Sequence, residues 1–298
     1  MAEHGRNPDA GCSKESMRNM IFYIPINDDA LGGSIWISHI GDTLKRLGHD
    51  VRYCHFESDT SAGDYVIVQS EWIEKEAYKT SRRAIVLLGH FTDVVYPDST
   101  RLRPQDIVLT QWKGEVVEDW EMRSGKKAVY FPHGYYGIGG SMEKPARTAV
   151  WIGTDTPFRD ISRFDGLPIE RITCRSGAVD WLYQTSAICP NVHLDIQKGM
   201  LRNVPESILD KPGYAVNERL FWVPGAGGFQ IADENPMIRE FYDEDEVTMA
   251  TAEDFKEIFE YYLAHPEKRE RMAKKAHERT MREHTYEQRI KKILLPLL

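Results

Sequence analysis

Tyr214-Ala215-Val216-Asn217-Glu218-Arg219-Leu220-Phe221-Trp222-Val223-Pro224-Gly225-Ala226-Gly227-Gly228-Phe229-Gln230-Ile231-Ala232-Asp233 is the stretch that decides the reading of this chain. Residues 216–223 read as a helix and Phe229 to Ala232 as a short apolar strand. The bend between them, Pro224 to Gly228, is expected to leave bare backbone amides beside an open crevice. Such a place suits a phosphate or diphosphate, so the expected partner is a nucleotide-linked donor.

Downstream the punctuation is helical. Thr251-x-x-Asp254 resembles a capping box, and Phe255, Ile258, Phe259 and Tyr262 form one apolar face. Pro266 fits the first turn of the next helix. Thr285-x-x-Gln288 caps a final helix carrying Ile290, Ile293, Leu294 and Leu297. Basic residues from Lys268 to Lys292 are interleaved with Glu, which reads as a solvated surface. The acidic run Asp243-Glu244-Asp245-Glu246 contains a D-x-D, but without a strand-turn setting it reads as a solvated loop. Glu246 to Met249 is the last expected strand.

Upstream, short apolar runs alternate with helical or irregular segments. Met20 to Ile24 reads as a strand. A loop from Pro25 to Gly33 follows it, and Ser34 can cap a helix with Ile37, Ile40, Leu44 and Leu47 on one face. Gly48 ends that helix. Further strands are expected at Asp50–Phe56, Asp64–Val68, Ala84–Leu88, Ile107–Thr110 and Ala128–Phe131. Near-continuous apolar strands separated by helices indicate a parallel sheet covered on both faces. The loops at their C-terminal ends form the crevice, and they hold Asn27 to Gly33, Gly89-His90 and Pro132-His133-Gly134.

After a linker at Glu143–Arg147 the pattern restarts, with strands at Ala149–Ile152, Glu170–Cys174 and Ala187–His193. The fold class is therefore α/β, with two similar Rossmann-like, doubly wound domains. Residues 1–17 read as a loose polar tail, 18–145 as the first domain, 146–285 as the second, and 286–298 as a closing helix.

Composition agrees with a globular chain. It has 298 residues, 41% hydrophobic and 28% charged; one or two domains are expected at about 100–200 residues each. The net charge of -8 disfavours tight non-specific binding to a polyanion. Cys12, Cys54, Cys174 and Cys189 form no C-x-x-C pair and no zinc spacing, so reduced cysteines and a cytoplasmic location are expected. No apolar run approaches the ~20 residues that span a bilayer, and no membrane partner is expected.

Several pieces in order resemble GT-B glycosyltransferases, particularly the spore-maturation (CgeB-type) branch. They are Trp151-Ile152-Gly153 with Pro157-x-Arg159, Asn191-Val192-His193, Asn217-x-Arg219-x-Phe221 before the glycine bend, and His284-Thr285-Tyr286-x-x-Arg289. Gly32-Gly33 and Leu47-Gly48-His49-Asp50-Val51 support the same resemblance in the first half. It implies two domains facing a cleft, the second holding a nucleotide sugar and the first most of the acceptor, with the last helix crossing back to the first domain. It also implies a metal-independent hexosyltransferase without a cofactor, in which helix N-termini and basic side chains stabilise the leaving diphosphate. Uridine diphosphate glucose is the default co-substrate. The family commonly places Glu directly after the position of Phe221, where it binds the donor ribose. Here Trp222 stands there, either stacking on a base or sugar or belonging to the core.

Within that resemblance the diphosphate is assigned to the Gly227 and Gly228 amides, Arg159 and Arg219, with Gly153-Thr154 and Gly32-Gly33 as further strand-end loops. For Gly227-Gly228 the alternative is a tight turn, and for Arg159 a surface ion pair. His133, Asn191, His193, Trp222 and Glu246 are candidate donor contacts. The candidate bases are Asp28, Asp29 and His90; turn chemistry is the alternative for the two aspartates. His284 is expected to pack structurally beside the helix cap. The acceptor is a hydroxyl on a small molecule, a glycan, a protein, or a hydroxymethylated DNA base. A DNA acceptor needs a basic rim beside the cleft, for which Arg82, Arg83, Arg101, Arg103, Lys126 and Lys127 are the candidates. Two rival functions remain: a nucleotide-sugar epimerase on the same fold, and a non-catalytic nucleotide-sugar-binding protein, which Trp222 would suit.

Overall fold

The computed structural model describes residues 19–26, 33–88, 101–137, 139–140, 144–153, 159–173, 178–193 and 213–298. Two parallel sheets organise them. The first runs through β1 (Ile21–Pro25), β2 (Asp50–Cys54), β3 (Tyr65–Gln69), β4 (Ala84–Leu88), β5 (Ile107–Thr110) and β7 (Ala128–Tyr130), in the order β2-β1-β3-β4-β5-β7. All its pairings are parallel. β3 and β4 are buried along their whole length, which is why they read as unbroken apolar runs.

α1 (Gly33–Arg46) packs on this sheet. Ile37, Ile40 and Leu44 are fully buried at helical spacing, each contributing about 1.5–3 kcal/mol. Lys45 and Arg46 in its last turn favour the negative end of the helix dipole. Gly48, at φ 94, closes it with a bond from its amide to the Lys45 carbonyl.

The second sheet contains β8 (Arg147–Ile152), β9 (Ile169–Ile172), β10 (Ser186–Asn191), β12 (Gln230–Asp233) and β13 (Thr248–Ala250), in the order β13-β12-β10-β8-β9. Its pairings are parallel as well. In both sheets the first strand lies between the second and the third. This shared winding is what the restarted sequence pattern encodes. α4 (Val179–Gln184), α5 (Arg219–Ala226), α6 (Phe255–Ala264) and α7 (Pro266–Glu283) belong to this lobe. Thr251 Oγ1 accepts from the Asp254 amide in the turn before α6, whose N-cap Asp254 makes no side-chain cap bond, and Pro266 stands in the first turn of α7 as expected.

The chain then returns. Thr285 caps α8 (Tyr286–Arg289) by accepting from the Gln288 amide, and turns at Ile290–Leu294 and Leu295–Leu297 continue it. Tyr286, Ile290 and Leu294 are fully buried in the core of the first lobe. Two backbone bonds pin the crossing, Tyr135 N–H to His284 O and Tyr286 N–H to Tyr135 O.

Three local expectations require correction. Helix α5 includes Pro224, Gly225 and Ala226, so the glycine bend is confined to Gly227 and Gly228. The last strand starts at Thr248 rather than Glu246. Between the lobes runs an antiparallel pair, β6 (Lys113–Gly114) with β11 (Gly213–Tyr214), too short to leave a periodic signal. α3 (Glu115–Ser124) follows β6 directly, and α2 (Glu76–Thr80) precedes β4. Among the described residues no helix is long and apolar enough to cross a membrane.

Candidate active site

Each sheet reverses direction of winding beside its first strand, between β1 and β3 and between β8 and β10. In open parallel sheets the binding crevice lies at the C-terminal ends of the strands at such a point. In the second lobe the elements that meet at that point are the end of β8, the end of β10, the end of β12 and the head of α5.

Arg219 opens α5 and donates from Nε to the carbonyl of Ile152, at 2.6 Å, across the end of β8. Gly153 makes this possible: a Cβ there would lie 2.6 Å from Arg219 Nη2 and 2.7 Å from the Trp151 ring. Burial lowers the Arg219 pKa, while Tyr183, Glu218 and Asp233 oppose that shift. Arg159 is lowered too, to about 10; burial is the main cause, repulsion from Arg219 adds to it, and Asp233 partly offsets it. Two guanidinium groups thus share the field of Asp233. An anion entering between them relieves their repulsion.

Asn217 shapes the same corner. Its Oδ1 accepts from the Leu220 amide at 3.2 Å and its Nδ2 donates to Asn191 Oδ1 at 2.7 Å. The helix head is therefore capped from within and tied to β10. Asn191 is completely buried, and its Nδ2 has no partner among the described residues. His193, just beyond β10, is gripped by Asp233: the His193 amide donates to Oδ2 at 2.8 Å and Nδ1 contacts Oδ1. Its Nε2 is buried without a partner among the described residues. Leaving such groups unmatched costs about 1–3 kcal/mol each, so both point to a polar molecule in the crevice.

A second cluster joins the lobes. His39 on α1 faces Glu218, with Nδ1 3.3 Å from Oε1. The His39 ring stacks on Tyr136 at 4.3 Å and leans against Trp222 and Tyr286. Burial pushes the Glu218 carboxyl upward, but His39, His133 and Arg219 outweigh it and hold the group below its ordinary value. His133 lies 3.2 Å from Tyr286 Oη and 3.3 Å from Gln111 Nε2, both through Nδ1. Burial lowers its pKa, Glu218 opposes the shift and His39 adds to it. Trp222 donates from Nε1 to Asp180 Oδ1, and Tyr135 donates to Asp180 Oδ2 at 2.9 Å. Trp222 is thus a junction residue, half-buried and held by a carboxylate.

Of the residues singled out in the sequence, Gly153, Arg159, Asn191, His193 and Arg219 come together at the second crevice, and His133 and Trp222 lie at the lobe junction. Gly33 is the first residue of α1. Asp28, Asp29, Gly32, His90 and Thr154 lie outside the described residues.

Gly227 and Gly228 are corrected. Their amides bond to Pro224 and Val223 carbonyls, so neither can hold a diphosphate. They precede β12, at the end of the sheet opposite the crevice, and both are buried. Glu246 is corrected as well: its oxygens accept from Arg279 Nε at 3.0 Å and from the Asp243 amide at 2.8 Å, which makes it a structural link to α7. His284 packs as expected, bonded to the Phe241 carbonyl and to Arg289.

Sequence reasoning missed His39, Asp180 and Asp233. A histidine inside an amphipathic helix reads as surface, and an aspartate closing a strand reads as turn chemistry. Only the positions of Asp233 at a strand end and of His39 early in the first crevice helix were signals available beforehand. Among the described residues no cluster of three or more His, Cys, Asp or Glu could hold a metal ion.

Residues 175–295 match a family profile described as glycosyl transferase-like. No curated protein sequence matches the chain. Among solved structures, the Anabaena protein HepE in complex with UDP and glucose superposes with a TM-score of 0.61 at 8% identity, covering 94% of this chain and 99% of that one. An alpha-glucosyltransferase in complex with UDP and a 13-mer DNA gives 0.60 at 9% identity, covering 94% and 100%. Sucrose-phosphate synthase from Thermosynechococcus elongatus gives 0.57 at 11% identity, covering 93% and 97%. At such identities the likeness is one of fold. The chain has the two-lobed GT-B fold, and its second lobe carries the glycosyl transferase-like region.

Proposed function

We propose that the protein transfers a sugar from a nucleoside diphosphate sugar to an acceptor hydroxyl, in the cleft between its lobes and without a metal ion. The observation that carries this reading is Arg219 at the head of α5, bonded across the end of β8 at the second sheet's switch point, with Arg159 near enough to feel its repulsion. Paired guanidiniums suit the geometry and charge of a diphosphate. The first turn of α5, which Arg219 opens, adds the positive end of a helix dipole. The open amide of Asn191 and the ring of His193 supply further polar contacts to the donor. Within this class, the order of the second-lobe motifs supports the spore-maturation branch.

In the reaction the anomeric C–O bond to the diphosphate breaks and its electron pair stays on the diphosphate oxygen. Arg159 and Arg219 stabilise the charge that builds there. The acceptor oxygen bonds to the anomeric carbon and its proton passes to a base. Asp28, Asp29 and His90, which follow β1 and β4 in sequence and lie outside the described residues, are the candidates for that base. His39 and Glu218 hold the two lobes in register, which brings acceptor and donor to reacting distance.

The acceptor is best read as a small molecule or glycan. The basic residues considered for a DNA rim immediately precede strands β4, β5 and β7, at the end of the first sheet away from its crevice. Arg101 pairs with Glu74, Arg103 with Asp106 and Lys127 with Glu121. UDP-glucose, the donor that accompanies some fold relatives, is the first to test.

Thermal-shift screening of nucleotide sugars gives the direct test, since a ligand bound only by the native state raises apparent stability. The matching nucleotide sugar should raise the melting temperature, and Arg159→Ala should lose most of that shift and weaken binding at least about tenfold, near 1.4 kcal/mol. An Arg159→Ala protein that binds the donor as well as the parent would remove the diphosphate assignment.

A further inference from the structure

Glu218 stands immediately before Arg219, at the head of α5, and its side chain reaches across the cleft to His39 on α1. Its position is that of a helix cap, yet the carboxylate makes no cap bond. Asn217 supplies that bond instead, to the Leu220 amide. His39 Nδ1 comes within 3.3 Å of Oε1 but out of line for a hydrogen bond, and Oε1 is buried without a hydrogen-bond partner. The side chain as a whole keeps 29% of its surface open. Among the described residues no group donates a hydrogen bond to either oxygen. Burial opposes ionisation here, but His39, His133 and Arg219 outweigh it and keep the group charged at neutral pH.

An ionised carboxylate only accepts hydrogen bonds, at about four lone-pair sites. Half-buried and without donors, it is under-satisfied. Whatever fills the space beside it must bring O–H or N–H groups. A diphosphate brings none and is repelled, so the anion lies toward the arginines and a neutral, hydroxyl-bearing group lies toward Glu218. Connectivity identifies that group. The transferred sugar is bonded to the diphosphate before the reaction and to the acceptor after it. It therefore occupies the space between the diphosphate ligands of the second lobe and the first lobe. Glu218 spans that space: its neighbour Arg219 crosses the end of β8, and the His39 it faces belongs to the other lobe.

We propose that Glu218 binds the transferred sugar, accepting a hydrogen bond from one of its hydroxyls, and so selects which sugar the protein takes. The inference rests on the nucleotide-sugar reading above, which assigns ligands to the diphosphate and none to the sugar. Glu218 forms no covalent bond and moves no proton. The His39 contact keeps its carboxylate turned into the cleft. A sugar that lacks the hydroxyl, or carries it on the other face of the ring, leaves the carboxylate unmatched. Loss of such a charge-assisted bond weakens binding about tenfold or more.

Calorimetric titration of the full chain with UDP-glucose and with UDP separates the sugar from the nucleotide. Glu218→Ala should bind UDP-glucose about tenfold more weakly than the parent, and UDP no more weakly. Retained UDP binding also shows that the variant is folded. UDP-glucose analogues that each lack one sugar hydroxyl identify the partner. One of them should bind the parent about tenfold more weakly than UDP-glucose does, and Glu218→Ala should not distinguish that pair. His39→Leu removes the cross-cleft contact but keeps the carboxylate, so it should hold UDP-glucose within about twofold of the parent. Where ADP-glucose or GDP-glucose is bound instead, the same comparison is made with that sugar and its free diphosphate. Equal weakening of both ligands in a folded Glu218→Ala, weakening of neither, or a loss as large in His39→Leu overturns the proposal and leaves the donor site standing. So does a parent protein that binds every analogue as tightly as UDP-glucose. A parent that binds none of the three nucleotide sugars or their diphosphates removes the donor site as well.

Discussion

Single residues in this molecule are chosen by what stands within a few ångströms of them, and Gly153 is the clearest case. Adding a Cβ there presses on a buried indole and on the guanidinium that crosses the end of β8. Gly153→Ala is expected to cost about 1–3 kcal/mol of stability if Trp151 gives way. If Arg219 gives way instead, donor affinity falls while the melting temperature holds, so measuring both separates the two. A variant unchanged in both would show that the close approach does not matter. His284 makes a pH prediction. Burial, with Arg289 beside it, depresses its pKa from 6.5 to about 4, although the Phe241 carbonyl opposes the shift. The folded protein therefore holds the ring neutral, whereas the unfolded chain protonates it near its ordinary value. This contribution to stability is complete above about pH 6.5 and is lost as pH falls toward about 4. Between about pH 7 and pH 5 it should remove about 2 kcal/mol. Burial lowers His49 and His133 in the same direction. The test is thus the difference in urea-unfolding free energy between the parent and His284→Asn, and parallel pH curves for the two would refute it.

At the scale of elements, the strands were legible and the ends of elements were not. β3, β4 and β10 are buried on both faces, so their composition alone marked them. Proline usually interrupts a helix, but in α5 Pro224 is accommodated within the last turn, and Gly227 at φ 91 makes the stop. Gly227 and Gly228 lead into β12, so they stand at its N-terminal end, away from the crevice, wherever the helix before them stops. The returning crossing depends on another close approach. A Cβ on Gly134 would lie 2.7 Å from Tyr286 N, 2.9 Å from Thr285 C and 3.1 Å from His284 O, all backbone atoms that cannot rotate away. Gly134→Ala should therefore separate α8 from the segment after β7 and lower stability by about 1–3 kcal/mol or more. Urea unfolding checks this, and a loss below about 0.5 kcal/mol, the range of an ordinary surface change, would contradict it.

For the whole molecule, the lobes are joined at several places that do not depend on the donor site. The β6–β11 pair, the Lys113–Glu240 ion pair and the backbone bonds at Tyr135 all cross from one lobe to the other. Burial of Tyr286, Ile290 and Leu294 in the first core makes the last helix a shared element. Removing the His39–Glu218 contact should accordingly leave the lobes attached while changing how they register across the cleft. Arg159 and Arg219, the proposed diphosphate ligands, lie wholly on one side of it. Transfer needs the acceptor side placed to within a fraction of an ångström of the anomeric carbon, and small misplacements cost large factors in rate. His39→Leu keeps an apolar body against Tyr136 and Trp222 but leaves Glu218 without its cross-cleft partner. The expected outcome is donor affinity within about twofold of the parent and turnover lower by at least about tenfold, a loss near 1.4 kcal/mol in the barrier. Calorimetry and product formation measure the two separately. If affinity fell in step with turnover, His39 would belong to the donor pocket itself; if neither changed, the contact would be an incidental one between two well-anchored lobes.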